Sequence, residues 1–329
     1  MLNKQIFFSG LLATALSASA LAQSQENEVY IDQIGDDNAG SVLQGFDQEG
    51  SWGTTGYALK NTVDLLQEGN WHTANVLQGM NGGSATENQA DVSQYGEYNT
   101  VDIEQGAEAG VAKNNTGIIS QDGKLNEVQL FQGVDEGYAT YNEAYIEQHG
   151  DENEGAIAQG FQGGEAEENT ADLSQDGYAN LGTVVQGLDG VAKYNEAYIE
   201  QYGNENTGGI AQGFQGGEAE ENTATLSQDG DYNLSLIAQG VGEYSTAKYN
   251  EAEVLQQGNY NEAFISQGLE TAEPSVENWA MIEQMGDENF ANINQAGSYD
   301  LADVYQQGYG NSAEVLQGGE GSAADLIAQ

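Results

Sequence analysis

The chain has no cysteine and no arginine, one proline (Pro274), two histidines and six lysines in 329 residues. Without cysteine, neither disulfides nor thiolate metal sites can hold it together. Without arginine, and with 53 acidic residues set against six lysines, it has no basic patch, which excludes nucleic acid or anionic lipid as partners bound through one. His72 and His149 fall in no cluster with the spacing of a catalytic triad or a metal centre, and the basic residues that solenoid polysaccharide lyases lean on are missing. The reading is therefore of a protein that is not an enzyme and carries no cofactor. Long apolar runs are absent beyond residue 22. Before it, Lys4 precedes Ile6, Phe7, Phe8, Leu11, Leu12 and Leu16, and the stretch closes on Ala20-Leu21-Ala22. This pattern predicts a signal peptide over 1–22, cleaved before Gln23 and too short to remain as a membrane span, so that the mature chain is secreted and not membrane-integral. Such high charge with low hydrophobicity ordinarily leaves a chain disordered.

What the sequence does have is repetition, and an ordered repeat overrides that default. The frame Asn-x5-Gln-x-Gly-x2-Asn-x-small-x3-Gln returns eleven times, with units starting near 27, 61, 88, 115, 142, 169, 195, 222, 250, 278 and 300 and a partial unit over 323–329. The first glutamine recurs as Gln33, Gln67, Gln94, Gln121, Gln148, Gln175, Gln201, Gln228, Gln256, Gln284 and Gln306. The second recurs as Gln44, Gln78, Gln105, Gln132, Gln159, Gln186, Gln212, Gln239, Gln267, Gln295 and Gln317. Two residues before each stands Ile, Val or Leu, as at Ile146 and Ile157.

Within a unit the period is two. Asn142, Ala144, Ile146 and Gln148 share one side of an extended segment, and Glu143, Tyr145 and Glu147 share the other, which is the pattern of a half-buried strand. The pairs Gly150 and Asn153, Gly177 and Asn180, Gly203 and Asn206, Gly230 and Asn233, and Gly258 and Asn261 supply residues suited to a tight turn before the second strand. A wider turn, such as 160–169, returns the chain to the next unit. A single strand pair cannot bury its inner face, whereas stacked units bring Ile over Ile between two sheets. Buried amides are costly unless paired; in register at about 4.8 Å, each can donate to one neighbour and accept from the other. The fold expected is all-β: a two-sided parallel β-solenoid of eleven strand-turn-strand coils, amyloid-like cross-β, roughly 50 Å long.

The frame resembles the curlin repeat of curli fimbriae, the functional amyloid of Gram-negative biofilms, and the resemblance covers nearly all of residues 23–329. It departs from the family in three ways: Asn opens each repeat where Ser is usual, the wide turn is longer, and only Gln23 to Glu26 precede the first repeat where the family carries an export-targeting tail. The resemblance implies export through the outer-membrane curli secretion pore and nucleation at the cell surface by a nucleator subunit. It further implies head-to-tail homopolymerisation into extracellular adhesive fibres, with this chain more like the major fibre subunit than the minor nucleator. The alternatives are the nucleator itself or, from another class, a secreted calcium- or ice-binding solenoid. Against calcium, the Glu-rich wide turns (Glu165, Glu167, Glu168; Glu218, Glu220, Glu221) lack the calcium nonapeptide and read as solvated charge; against ice, only Thr223 and Thr225 form a Thr-x-Thr pair on a first strand.

Three further expectations follow from the residues. First, outward positions of the first strand alternate between coils (Glu143, Tyr145, Glu147; Thr170, Asp172, Ser174; Glu196, Tyr198, Glu200), which separates glutamates by two rungs and halves their bare repulsion from roughly 0.9 to roughly 0.4 kcal/mol per pair. Second, the outward positions of the second strand are almost uncharged (Ala156, Ala158; Thr183, Val185; Gly209, Ala211; Leu234, Leu236, Ala238; Phe264, Ser266), either as ordinary packing or as a lateral face. Third, neither terminus shows a polar helix or proline-rich cap, which invites another copy to each end. The insertion 45–61, with Trp52 and Tyr57, reads as a protruding loop, and Pro274 as part of a wide turn outside the ladder hydrogen bonds.

Overall fold

The computed structural model describes residues 23–45, 56–269, 274–318 and 321–329. The signal-peptide reading and Trp52 lie outside them. The strand Glu143–Asp151 shows how alternation becomes architecture: Ala144, Ile146 and Gln148 are buried, while Glu143 and Glu147 are exposed. One side must therefore be covered. It pairs in parallel with Thr116–Lys124 on one edge and with Thr170–Tyr178 on the other, so that Gln121, Gln148 and Gln175 fall in line, as do Ile119, Ile146 and Leu173. The same pairing builds a first sheet of twelve strands, from Glu28–Ile34 to Ala323–Ala328. The second half-units build a second sheet of eleven strands, from Ala39–Gln44 to Ser312–Gln317. The inner faces bury the aliphatic columns in one continuous core that includes Val92, Ile119, Ile146, Leu173 and Ile199 from the first sheet and Ile103, Leu130, Ile157, Val184 and Ile210 from the second. The described residues form an all-β parallel solenoid without helix.

The wide turn carries an additional element. It contains a short strand, and ten such strands of two or three residues form a narrow third sheet from Gln23–Gln25 to Ser275–Val276. In Glu165–Glu167 only Ala166 faces inward, and Ala112, Ala139, Ala192, Ala219 and Ala247 occupy the same buried place in other coils. A small side chain is needed there because this wall closes on the edges of the other two. Tyr57, expected in a protruding loop, instead opens the strand Tyr57–Leu59 and is half-buried. Pro274 directly precedes the last strand of this sheet, and its carbonyl accepts from Ser298 Oγ at 3.0 Å.

The Gly-x-x-Asn link is not a free-standing tight turn. The first strand continues through Gly150 to Asp151, and the left-handed residue is Glu152, with φ 59°. Gly150 itself has φ 97°, and a Cβ there would lie 2.1 Å from the carbonyl oxygen of Gly177 in the next coil. Glycine is required because successive coils approach at this corner backbone to backbone. Left-handed residues recur at both corners immediately before the ladder asparagine, as at Tyr141 and Glu168 at one corner and Glu152 and Ala179 at the other, and they are non-glycine except at Gly310, before Asn311.

Coil length changes near the C-terminal end. Consecutive ladder glutamines are 27 residues apart at Gln121 and Gln148 but 22 apart at Gln284 and Gln306. The missing residues are those of the third strand, so beyond Val276 the described chain has two walls only. The partial unit adds Ala323–Ala328 to the first sheet in a register that sets Ala328, not Gln329, against Gln306.

Candidate functional site: amide ladders and outer faces

Every glutamine of the first set joins one ladder. Gln33 Nε2 donates to Gln67 Oε1 at 2.5 Å, Gln148 to Gln175 at 2.8 Å, and Gln284 to Gln306 at 2.9 Å, with every intermediate step present. The second set does the same from Gln44 to Gln317, at 2.7 to 3.0 Å. The second amide proton crosses the core. Gln148 Nε2 donates to the Glu127 carbonyl in the opposite sheet, and Gln159 Nε2 to that of Glu143. Buried amides thus satisfy themselves along the axis and tie the two sheets together, leaving little desolvation cost.

The asparagines run parallel ladders of opposite sense. Asn142 donates from its backbone N and Nδ2 to Asn115 Oδ1, at 2.9 and 3.1 Å, and also from Nδ2 to the Ala166 carbonyl in the next coil's third strand at 3.0 Å. Asn153 and Asn180, expected at turns, belong to the second asparagine ladder: Asn180 Nδ2 donates to Asn153 Oδ1 at 3.0 Å and to the Gly203 carbonyl at 2.8 Å. Asn206, Asn233 and Asn261 continue it. Two residues break the pattern. His72 takes an asparagine place, fully buried; its Nδ1 accepts from Asn99 N, so Nε2 carries the proton and faces the Glu68 carbonyl at 3.3 Å. Burial lowers its pKa and keeps it neutral. Asp300 takes another: Oδ1 accepts from Ser322 N at 2.7 Å, while the buried Oδ2 has no partner among the described residues.

The outer faces differ as the residue types imply. On the first sheet, Glu143, Thr170, Glu196 and Thr223 stand in one row, as do Glu147, Ser174, Glu200 and Ser227, so that carboxylates alternate with hydroxyls from coil to coil. Asp172, between Tyr145 and Tyr198, has its pKa raised by burial first and then by Glu200 and Glu147. On the second sheet Leu181, Leu234 and Leu236 are exposed, and Phe264 meets Phe290 at 6.0 Å between ring centroids. The third wall holds charge of both signs rather than solvated glutamate alone. Lys193 pairs with Glu165 at 2.9 Å and Glu167 at 3.1 Å, and Lys248 with Glu218 at 3.2 Å and Glu220 at 2.6 Å. A readable signal for this wall was available: an alanine three residues before the ladder asparagine, as at Ala139 before Asn142 and Ala166 before Asn169. Among the described residues no group of three or more His, Cys, Asp or Glu is arranged to hold a metal, and no helix is long and apolar enough to cross a membrane.

A family model for the curlin associated repeat matches residues 166–203 and 219–248. The chain therefore carries repeats of the curlin type, and the matched segments lie mid-stack, where the ladders are continuous on both sides. No curated protein matches the chain.

Proposed function

We propose that this curlin-repeat chain is a structural subunit of extracellular, curli-like amyloid fibres, exported after loss of residues 1–22 and assembled by stacking of the solenoid over 23–329 for cell adhesion and biofilm matrix. The observation that carries this reading is where the ladder bonds run. All twenty glutamine–glutamine bonds pass from one coil to the next and none lies within a coil. A coil from a second copy supplies the same donors and acceptors as a coil from the same chain. The ladders are also polar. Glutamine Nε2 points toward the later coil and asparagine Oδ1 receives from it, so a second copy added head to tail in the same sense can continue the second glutamine ladder from Gln317, whereas the first ends at Gln306 against Ala328. Register is fixed because a one-residue slip would turn Gln and Ile outward. By family resemblance the partners are other copies, a nucleator subunit and the secretion pore, and the chain fits the major subunit better than the nucleator.

The test is thioflavin-T fluorescence over time on purified residues 23–329, with and without preformed seeds and with and without calcium, the products checked by electron microscopy. A lag shortened by seeds and insensitive to chelator is the expected result. A stable monomer, or folding only with calcium, overturns the reading in favour of a ligand-binding solenoid.

A further inference from the structure

One corner of the solenoid, where the third wall meets the first sheet, carries a column that differs from every other on the surface. At the left-handed position before the ladder asparagine stand Tyr141, Glu168, Tyr194, Glu221, Tyr249, Glu277 and Tyr299, strictly alternating, all with φ between 52° and 61°. The backbone does not ask for these residues. Left-handed geometry is least costly for Gly or Asn, and Asn114 occupies the same place one coil earlier. Each is pinned by its own amide to the coil before it: Tyr194 N donates to the Glu167 carbonyl and Glu221 N to that of Lys193, both at 2.9 Å.

The opposite corner shows what tyrosines do when they stand in successive coils. Trp71 and Tyr98 stack at 4.9 Å, and Tyr232 and Tyr260 at 4.8 Å, with ring planes within 8° and 2°. These distances also measure the rise per coil. In the alternating column the tyrosines are two coils apart, too far to stack on each other, and a carboxylate stands between each pair. The four are 52, 44, 49 and 53 % exposed. Among the described residues none of their hydroxyls has a side-chain hydrogen-bond partner, whereas Tyr178, Tyr232 and Tyr309 each donate to a glutamate. Tyr194, Glu196, Glu221 and Thr223 line one open groove. Tyr141, Glu143, Glu168 and Thr170 occupy the matching positions two coils earlier. The pKa of Tyr194 is raised, first by Glu168 and then by Glu167, against a smaller opposing effect of Lys193.

A half-exposed ring with carboxylates beside it suits a guanidinium or ammonium, held by cation–π attraction and charge together. We propose that this corner is a binding track for a polycationic peptide in extended polyproline II form with an arginine or lysine at every third residue. Two coils at the measured rise span about 9.6 Å, and three residues of polyproline II span about 9.3 Å. Successive cations of such a peptide therefore meet successive tyrosine sites, and the chain's large negative charge draws the peptide in. The track belongs to a single solenoid and does not depend on polymerisation.

The experiment measures, at physiological salt, binding of the full mature chain to three peptides with equal numbers of arginines, built from Arg-Pro, Arg-Pro-Pro or Arg-Pro-Pro-Pro units, with cation spacings of about 6.2, 9.3 and 12.4 Å. The middle peptide is expected to bind about tenfold more tightly than either other. Replacing Tyr141, Tyr194 and Tyr249 together by Leu, which the fold accepts at the matching position of the other corner as Leu125, leaves the charge unchanged and is expected to remove that preference. Tyr194→Trp, matching Trp71 in its backbone form, is expected to tighten binding and covers the case in which the triple variant does not fold. Equal affinity for the three peptides, or unaltered preference in the variants, means attraction by net charge alone and overturns the proposal.

Discussion

From Tyr57 to Val276 each coil has three walls, and from Asn278 to Gln317 it has two. The glutamine bonds are indifferent to this change: Gln148 to Gln175 is 2.8 Å in the three-walled body, and Gln284 to Gln306 is 2.9 Å at the two-walled end. The two long sheets and their amide ladders are therefore the self-sufficient unit, and the third wall is an addition carried by about five more residues per coil. The asparagine ladder adapts. In the body Asn142 Nδ2 donates to the Ala166 carbonyl of a third strand, whereas at the end Asn278 Nδ2 uses the Gly297 carbonyl of a short turn at 2.8 Å. The addition brings the Lys193 and Lys248 ion pairs and the corner tyrosine track up to Tyr249.

The sharpest way to break this comparison is to remove a rung from each region. Gln148→Ala strands the amides of Gln121 and Gln175 in a dry interior and leaves a cavity, with an expected loss of about 4 kcal/mol. Gln306→Ala, set against Ala328 on one side, strands only Gln284 and is expected to cost about half as much. Guanidinium resistance of the folded chain reads both, and equal losses would contradict the ladder account.

Glycine sharpens it next. Gly150→Ala forces a Cβ to within 2.1 Å of the Gly177 carbonyl oxygen, and about 3 kcal/mol is expected to be lost as two coils move apart. At Gly308, with φ 115°, the nearest atom to a Cβ is Asn311 Nδ2 at 3.7 Å, so Gly308→Ala meets only backbone strain, about 1 kcal/mol. The same denaturation series checks the order.

Asp300→Asn tests the end alone. It returns a donor to a ladder place where Oδ2 has none, and a gain of about 1 kcal/mol is expected, seen as slower hydrogen exchange over 300–328. Faster exchange there would count against the reading of Asp300 as a broken rung.

The smallest effect is on pH. In the body Asp172 has its pKa raised by burial, Glu200 and Glu147; at the end Asp303 has its pKa raised by burial and Asp325. Each therefore binds its proton more readily folded than unfolded. Its contribution to stability is full below the unfolded carboxylate range and is lost as pH rises through the folded value. Acidification from about pH 7 to about pH 4 should strengthen the contributions of Asp172 and Asp303, against the opposing contribution of buried His72, and Asp172→Asn and Asp303→Asn should each remove their part of the slope.

Much of the body could be read from the sequence because its signals are long. Nine-residue segments such as Glu143–Asp151 show period two unmistakably, and a glutamine fixed in every unit announces a ladder. The third wall could not be read that way, since Glu165–Glu167 has one inward residue and no alternation to count. Its trace was the alanine column ending in Ala247. Residue type alone points the glycines to turns, but Gly150 sits in a strand whose neighbour approaches too closely for any side chain, and that crowding exists only once coils are stacked. The same holds for the corner tyrosines: their alternation is visible in sequence, but their shared left-handed backbone and half-exposure are not.

The central claim, head-to-tail stacking of whole solenoids, is tested most directly by mass per length of isolated fibres in scanning transmission electron microscopy. Eleven to twelve coils at about 4.8 Å place one chain in every 53–58 Å or so of fibre, and that value, or an integer multiple for bundled filaments, is the result expected. One chain per coil spacing, roughly ten times the mass, would mean that chains lie flat and stack strand on identical strand, and it would contradict the account.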